Sequence, residues 1–229
     1  MHIPDGFINA PTAVGAGVAA AGGIGVSLRK TAQTLTERQA PLAGLVAAYI
    51  FAVQMLNFPV AAGTSGHLLG GLLAAVLVGP WAGAVCVAVV LVVQALFFAD
   101  GGLTALGLNI VNMSLVTAWG GYAVFVLLRR ALSKTQAGVV LSAGTAAGVS
   151  VVLASLAFVV EYAVGGTGSA PLGTVLAAMA SVHTLIGIGE GIITALTVGL
   201  VLRVRPDLVY GTSDLQAPLG IRTQPDSAA

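Results

Sequence analysis

Charge is what this chain has least of. Nine basic and eight acidic side chains are spread over 229 residues, for a net charge of +1. A soluble domain carries several times that density of charge. A net charge of +1 says nothing about nucleic acid, and no nucleic-acid partner is expected. Cysteine occurs once, as Cys86 inside an apolar stretch, so neither an intrachain disulfide nor a cysteine metal cluster is available and packing is its expected role. Lysine occurs twice, as Lys30 after Arg29 and Lys134 after Ser133. A P-loop needs glycine directly before its lysine, so no Walker A loop exists and no ATP is expected to bind here. His-Glu-x-x-His and Gly-x-Ser-x-Gly are absent as well, which leaves metallohydrolase and serine-hydrolase chemistry without a motif. The chain reads as a non-enzyme.

What fills the chain is apolar. Hydrophobic residues make up 57% of it and the mean hydropathy is +1.00, values of a membrane protein. A helix needs about 20 apolar residues to cross a bilayer. Seven segments are predicted, near 11–28, 41–57, 67–79, 81–99, 104–128, 137–162 and 171–202, the third too short to span upright. Gly79-Pro80 predicts a tight turn between the third and fourth. The fold class is therefore an all-α polytopic bundle over 1–205, followed by a short polar tail, 206–229, expected to be disordered and too short for a fused domain. Basic residues cluster as Arg29, Lys30, Arg38, then Arg129, Arg130, Lys134, then Arg203, Arg205, Arg222. Seven spans put all three clusters on one side, which the positive-inside bias makes cytoplasmic. The N-terminus, the 58–66 loop, the 99–104 loop and the 161–170 loop then face outward, where Asp5, Asp100 and Glu161 supply acidic charge without any Lys or Arg. A cleaved signal peptide carries its basic residues before the apolar run, and here they follow it, so the N-terminal segment is expected to stay.

The first seven residues, MHIPDGF, carry chemistry. With bulky His2 in second place the initiator Met1 is expected to be retained. The Met1 α-amine, the His2 backbone nitrogen and His2 Nδ1 can close two fused chelate rings with three nitrogens in one plane. Ni²⁺ and Cu²⁺ favour such square-planar nitrogen coordination; Co²⁺ does so less readily. Pro4 restricts Ile3 to extended geometry and Pro-Asp-Gly is a turn sequence, so the terminus is able to fold back over the protein. The alternative is an accidental second-position histidine in a frayed end. Affinity of such a site is expected to fall as pH drops through the histidine range near about 6.5.

A fourth ligand is available in FPVAAGTSGHLLGG. His67 lies at the outer start of the third segment, after a glycine-rich stretch that is able to dip into the bundle where it lines a protein interior. The alternative is an interfacial histidine beside a helix capped by Thr64 or Ser65. Gln94, Asp100, Asn109 and Asn112 cluster around the outer halves of the fourth and fifth segments, where they can orient the imidazoles. His183 and Glu190 are seven residues apart on one face of the last segment. As intramembrane ionisable groups they suggest a proton relay, a metal exit step or a hydrogen-bonded pair that fixes packing. Small residues at four-residue spacing, Gly15, Ala19, Gly23 on the first segment and Gly144, Gly148 on the sixth, predict close helix approach, most simply within the chain.

Taken together, MHIPDGF, GTSGHLLGG, QALFFADGGLTALGLNIVNM and HTLIGIGEGIIT resemble the CbiM/NikM family of metal-capturing membrane components of energy-coupling-factor transporters, in the same order from Met1 to about Val204. The wording at PDG and SGHLLGG is more similar to the nickel-type branch. The resemblance implies a seven-helix bundle in the inner (plasma) membrane and a metal substrate, Ni²⁺ or Co²⁺, held by Met1, His2 and His67. It implies as partners two ATP-binding cassette ATPase subunits, a transmembrane coupling component and a small accessory membrane protein. The competing class is an autonomous proton-coupled permease or channel that uses His183 and Glu190.

Overall fold

The structure is a computed structural model that describes residues 2–36, 39–56, 58–59, 65–132 and 135–212. Met1, Arg38, Gly63, Thr64, Lys134 and the tail from Ser213 onward, all named above, lie outside the described residues.

Among the described residues seven helices run in chain order: α1 Ala10–Thr34, α2 Ala40–Gln54, α3 Gly71–Val78, α4 Pro80–Phe97, α5 Leu106–Ala131, α6 Gln136–Gly165 and α7 Leu172–Val204. Five of them, α1 and α4 to α7, are long and apolar enough to cross a membrane. Their starts follow from the sequence. Asn9 caps α1 by accepting the Thr12 N–H at 3.0 Å, and Thr135 caps α6 by accepting that of Gly138 at 3.1 Å. Pro80 opens α4, where its missing N–H costs nothing. At the other ends, Arg129, Arg130 and Arg203 occupy the last turns of α5 and α7. Residues 111–120 of α5 are π-helical, a widening of the kind that often marks functional segments.

The third helix is shorter than its apolar run. Residues 67–70 stay outside it, because Gly70 takes a left-handed conformation (φ +76°) and α3 starts only at Gly71. All eight residues of α3 are buried, and Gly79 (φ +90°) turns it straight into antiparallel α4. At 1.5 Å per residue α3 covers about 12 Å and α4 about 27 Å. The space left above α3 is occupied by the incoming segment, which pairs β1 (Phe58–Pro59) with β2 (Ser65–Gly66) in a short antiparallel ribbon and then runs through His67 to Gly70. This dip into the bundle is what places His67 among the helices.

Two further features locate the site. Helices α6 and α7 meet glycine to glycine: a Cβ at Gly144 would lie 2.9 Å from the Gly191 carbonyl oxygen, and one at Gly187 would lie 2.7 Å from that of Gly148. The small-residue spacing on α6 thus serves contact inside the chain. On α1 the pattern is used in part: a Cβ at Gly23 would collide with Leu115 and one at Gly107 would collide with Gly17, while Gly15 and Gly25 face open space. At the opposite end, ordered chain continues past the expected boundary at 205. Residues 206–212 form two 3₁₀ turns in which Val209 is fully buried, and Tyr210 packs on Gly79 and Tyr122. Apolar Val209 and aromatic Tyr210 account for it. Cys86 and Met113 are core residues, Cys86 donating to the Ala43 carbonyl at 3.4 Å.

Candidate metal site

The N-terminal segment folds back over the outer end of the bundle and is held along its length. Ile3 donates its N–H to Asn109 Oδ1 at 2.8 Å, and Asn109 Nδ2 donates to the Ile3 carbonyl at 3.3 Å. The same carbonyl accepts the Gly102 N–H at 2.9 Å. Asp5 Oδ1 accepts both the N–H and the hydroxyl of Thr104, at 2.7 and 2.6 Å, and these bonds pull its carboxyl below the usual range. Thr167 donates through its hydroxyl to the Gly6 carbonyl and through its N–H to that of Phe7, and Asn9 donates to the Gly165 carbonyl at 2.7 Å. At about 1 kcal/mol net apiece these bonds roughly offset the ordering cost of the segment. Burial of Ile3 and Ile8, and Phe7 stacking on Phe158, then tip the balance toward the docked form.

Docking delivers His2 to His67. Their rings stack with centroids 4.8 Å apart and planes 21° from parallel. Two imidazoles on neighbouring positions of one metal, each about 2 Å from it, have centroids roughly 4–5 Å apart, so the separation suits a shared ion. His2 Nδ1 lies 2.8 Å from Asp100 Oδ1, which places the ring proton on Nδ1. His2 Nε2 is buried with no hydrogen-bond partner among the described residues. His67 Nδ1 donates to the Leu68 carbonyl at 2.8 Å, which puts the lone pair of that ring on Nε2, the nitrogen able to ligate. Burial is the largest influence on the His2 imidazole and lowers its pKa to about 4, although the Asp100 carboxylate pulls the other way. Burial likewise lowers His67 well below the histidine range. Both rings are neutral at pH 7, so the His2–Asp100 contact is a hydrogen bond from a neutral imidazole. For Nδ1 to join a chelate, the proton held by Asp100 must leave it.

The loop after α4 is shaped for this contact. Ala99 adopts φ +52° and Gly101 φ +94°, and the Asp100 N–H turns back to the Gln94 carbonyl at 3.1 Å. A Cβ on Gly101 would sit 3.1 Å from Asn109 Nδ2 and 3.4 Å from His2 Cδ2. The glycine lets the loop lie directly on the His2 ring.

Of the other polar residues named from the sequence, Gln94 lies beside His2 and His183 lies close enough to His67 to act on its charge, while Asn112 and Glu190 are bonded elsewhere. Asn112 donates to Glu161 at 2.6 Å and touches neither histidine through that bond. The buried Gln94 side chain sits against His2, where its hydrogen bond opposes the effect of burial on the imidazole. His183 and Glu190 do not form the hydrogen-bonded pair that their shared face suggested. Seven residues of helix separate them by about 10 Å along the axis, and each is bonded elsewhere: His183 Nδ1 to the Met179 carbonyl at 2.8 Å, Glu190 to the backbone N–H groups of Leu69 and Gly70. Asn109 was placed by sequence near the site, but its grip on Ile3 was not foreseeable from spacing. Among the described residues no cluster of three His, Cys, Asp or Glu side chains could hold a metal.

Two adjoining, neutral histidines buried in a membrane bundle can offer a pair of nitrogen ligands to a transition metal. The particular family follows from comparison: residues 2–208 match the CbiM family, described as the cobalt uptake substrate-specific transmembrane region, and the chain belongs to it. It is 35% identical over 207 residues to the cobalt transport protein CbiM 1 of Pelobacter propionicus, covering 89% of this chain and 91% of that protein. It is 37% identical over 221 residues to the fused nickel transport protein NikMN of Rhodobacter capsulatus, covering 91% of this chain and 64% of that longer protein. A solved structure described as a truncated transition metal transporter is similar with a TM-score of 0.79 and 30% identity over 89% of this chain and 99% of that one. The chain is thus a membrane component of nickel or cobalt transport and not an enzyme.

Proposed function

We propose that this chain is the substrate-binding subunit of an energy-coupling-factor uptake transporter in the inner membrane, and that it captures Ni²⁺, or Co²⁺, at the outer face. The ligands are the Met1 amine, the His2 backbone nitrogen, His2 Nδ1 and His67 Nε2. The observation that carries this reading is the contact of His2 with His67 at 4.8 Å, two neutral imidazoles brought together from distant parts of the chain. Four nitrogens in one plane suit Ni²⁺ best, which favours nickel over cobalt. Asp100, 2.8 Å from His2 Nδ1, places a carboxylate beside the incoming cation, and when the metal takes Nδ1 the neutral ring keeps its proton on Nε2.

Uphill transport needs an energy source, and this sequence carries no Walker A lysine. Two ATP-binding cassette ATPases, a transmembrane coupling component and a small accessory membrane protein fill that need. Labelled-nickel uptake is the test, in cells with all partners, with an ATPase-dead partner, and with this chain alone. Accumulation that requires an active ATPase fits the proposal. Strong accumulation by this chain alone, driven by a proton gradient, contradicts it in favour of the permease class.

A further inference from the structure

Glu190 is 1% exposed, lies midway along α7, and belongs to none of the proposed ligands. Its carboxylate accepts the Leu69 N–H through Oε2 at 2.6 Å and the Gly70 N–H through Oε1 at 2.8 Å. Those N–H groups belong to the N′ and N-cap residues just ahead of α3, outside the helix's own hydrogen bonds. A carboxylate from another helix accepts from both, and carries the charge that a helix N-terminus favours. Gln54 closes the remaining side of the same peptide by donating Nε2 to the Leu69 carbonyl at 2.7 Å. The next peptide back is held by His67 itself, whose Nδ1 donates to the Leu68 carbonyl. Every polar backbone atom in this description leads from Glu190 to the imidazole within three residues.

We infer that Glu190 is a positioning residue for metal capture: by gripping the backbone of Leu69 and Gly70 it fixes the depth and tilt of the loop that presents His67 Nε2 to the ion. The inference rests on His67 being a ligand. It gives the buried acidic group of α7 a role in holding the loop. Replacing Glu190 by Gln keeps the shape and one acceptor but turns an NH₂ group against a backbone N–H, so the loop loses one anchor and is pushed from its place.

The test uses the purified full chain with its native N-terminus and Ni²⁺ as the only added metal, measured by equilibrium dialysis, visible absorption and metal-free thermal unfolding. Glu190→Gln is expected to weaken nickel binding 10- to 100-fold, the range typical of groups that orient a metal ligand, and to shift the absorption of the bound ion. In a His67→Ala background the same substitution is expected to change affinity less than about twofold, because its effect passes through His67. Glu190→Asp carries the same comparison if the Gln protein does not fold. Nickel affinity and spectrum equal to the parent's, with only a lower unfolding temperature, would overturn the inference. So would an equal loss with and without His67. If the parent binds no nickel, or His67→Ala binds as the parent does, the ligand assignment itself fails and takes this inference with it.

Discussion

Asn109 holds both polar groups of Ile3, taking its N–H at 2.8 Å and donating to its carbonyl at 3.3 Å. Ile3 follows His2 directly, so this two-point contact sets where the His2 backbone nitrogen and ring lie. Asn109→Ala leaves the Ile3 N–H without that acceptor in a place where Ile3 is 2% exposed, at a cost of about 1–3 kcal/mol. The expected result is nickel affinity reduced at least 10-fold and faster hydrogen exchange at the Ile3 amide. Equilibrium dialysis and exchange measured by mass spectrometry check both.

His183 lies close enough to His67 to act on its charge, but its Nδ1 is turned into its own helix. His67→Ala removes the proposed ligand from outside the terminus and is expected to abolish most nickel affinity or to change the visible spectrum as water replaces the imidazole. His183→Ala is expected to do less, since His183 Nδ1 is bonded within its own helix to Met179. Binding and spectra of the two purified variants decide this, and loss of binding in His183→Ala alone would reverse the assignment.

Proton release separates the site from a simple pair of histidines. With burial holding His2 to about 4 and His67 well below the histidine range, neither imidazole carries a competing proton at pH 6–7. Competition there comes from the α-amine, whose ordinary pKa is about 7.7–8.0, and from the amide that must ionise. About two protons are expected to leave per nickel bound at pH 7, with no added steepening of affinity near 6.5. This moves the pH response away from the histidine range predicted from sequence alone. Calorimetry in buffers of different ionisation enthalpy counts the protons.

The same shifts act on the metal-free fold. Unfolded His2 takes up a proton near 6.5, while the folded form resists until about 4. The unfolded state therefore binds more protons between those values, and stability is expected to fall as pH drops from 6.5 toward 4 while staying flat on this account above 6.5. Metal-free unfolding temperatures at pH 7.5, 5.5 and 4.5 test the direction.

The apolar runs made the helices readable, and the turn residues of MHIPDGF made the folded-back terminus readable, because hydropathy and backbone preference act locally. The start of α3 was not readable: LLGGLLAAVLV is apolar throughout, and only the left-handed Gly70 and a carboxylate from α7 show where the helix begins. Glu190 illustrates the limit. Its spacing from His183 is visible in sequence, but its partners are backbone N–H groups about 120 residues away, and no side-chain pattern marks a backbone acceptor. Val209 and Tyr210 were hidden for a similar reason, as two apolar residues in a polar tail acquire meaning only when the α3–α4 turn is there to cover.

The central claim is that the chain's own first nitrogen is a metal ligand, with its distance to His2 fixed covalently. One measurement bears on it most directly: nickel affinity of the purified chain with its native start compared with a chain extended by a single residue before Met1, both inserted in membranes to the same level. The account predicts that the extension abolishes nickel binding while insertion and folding are unchanged. Equal affinity in the two proteins would contradict it.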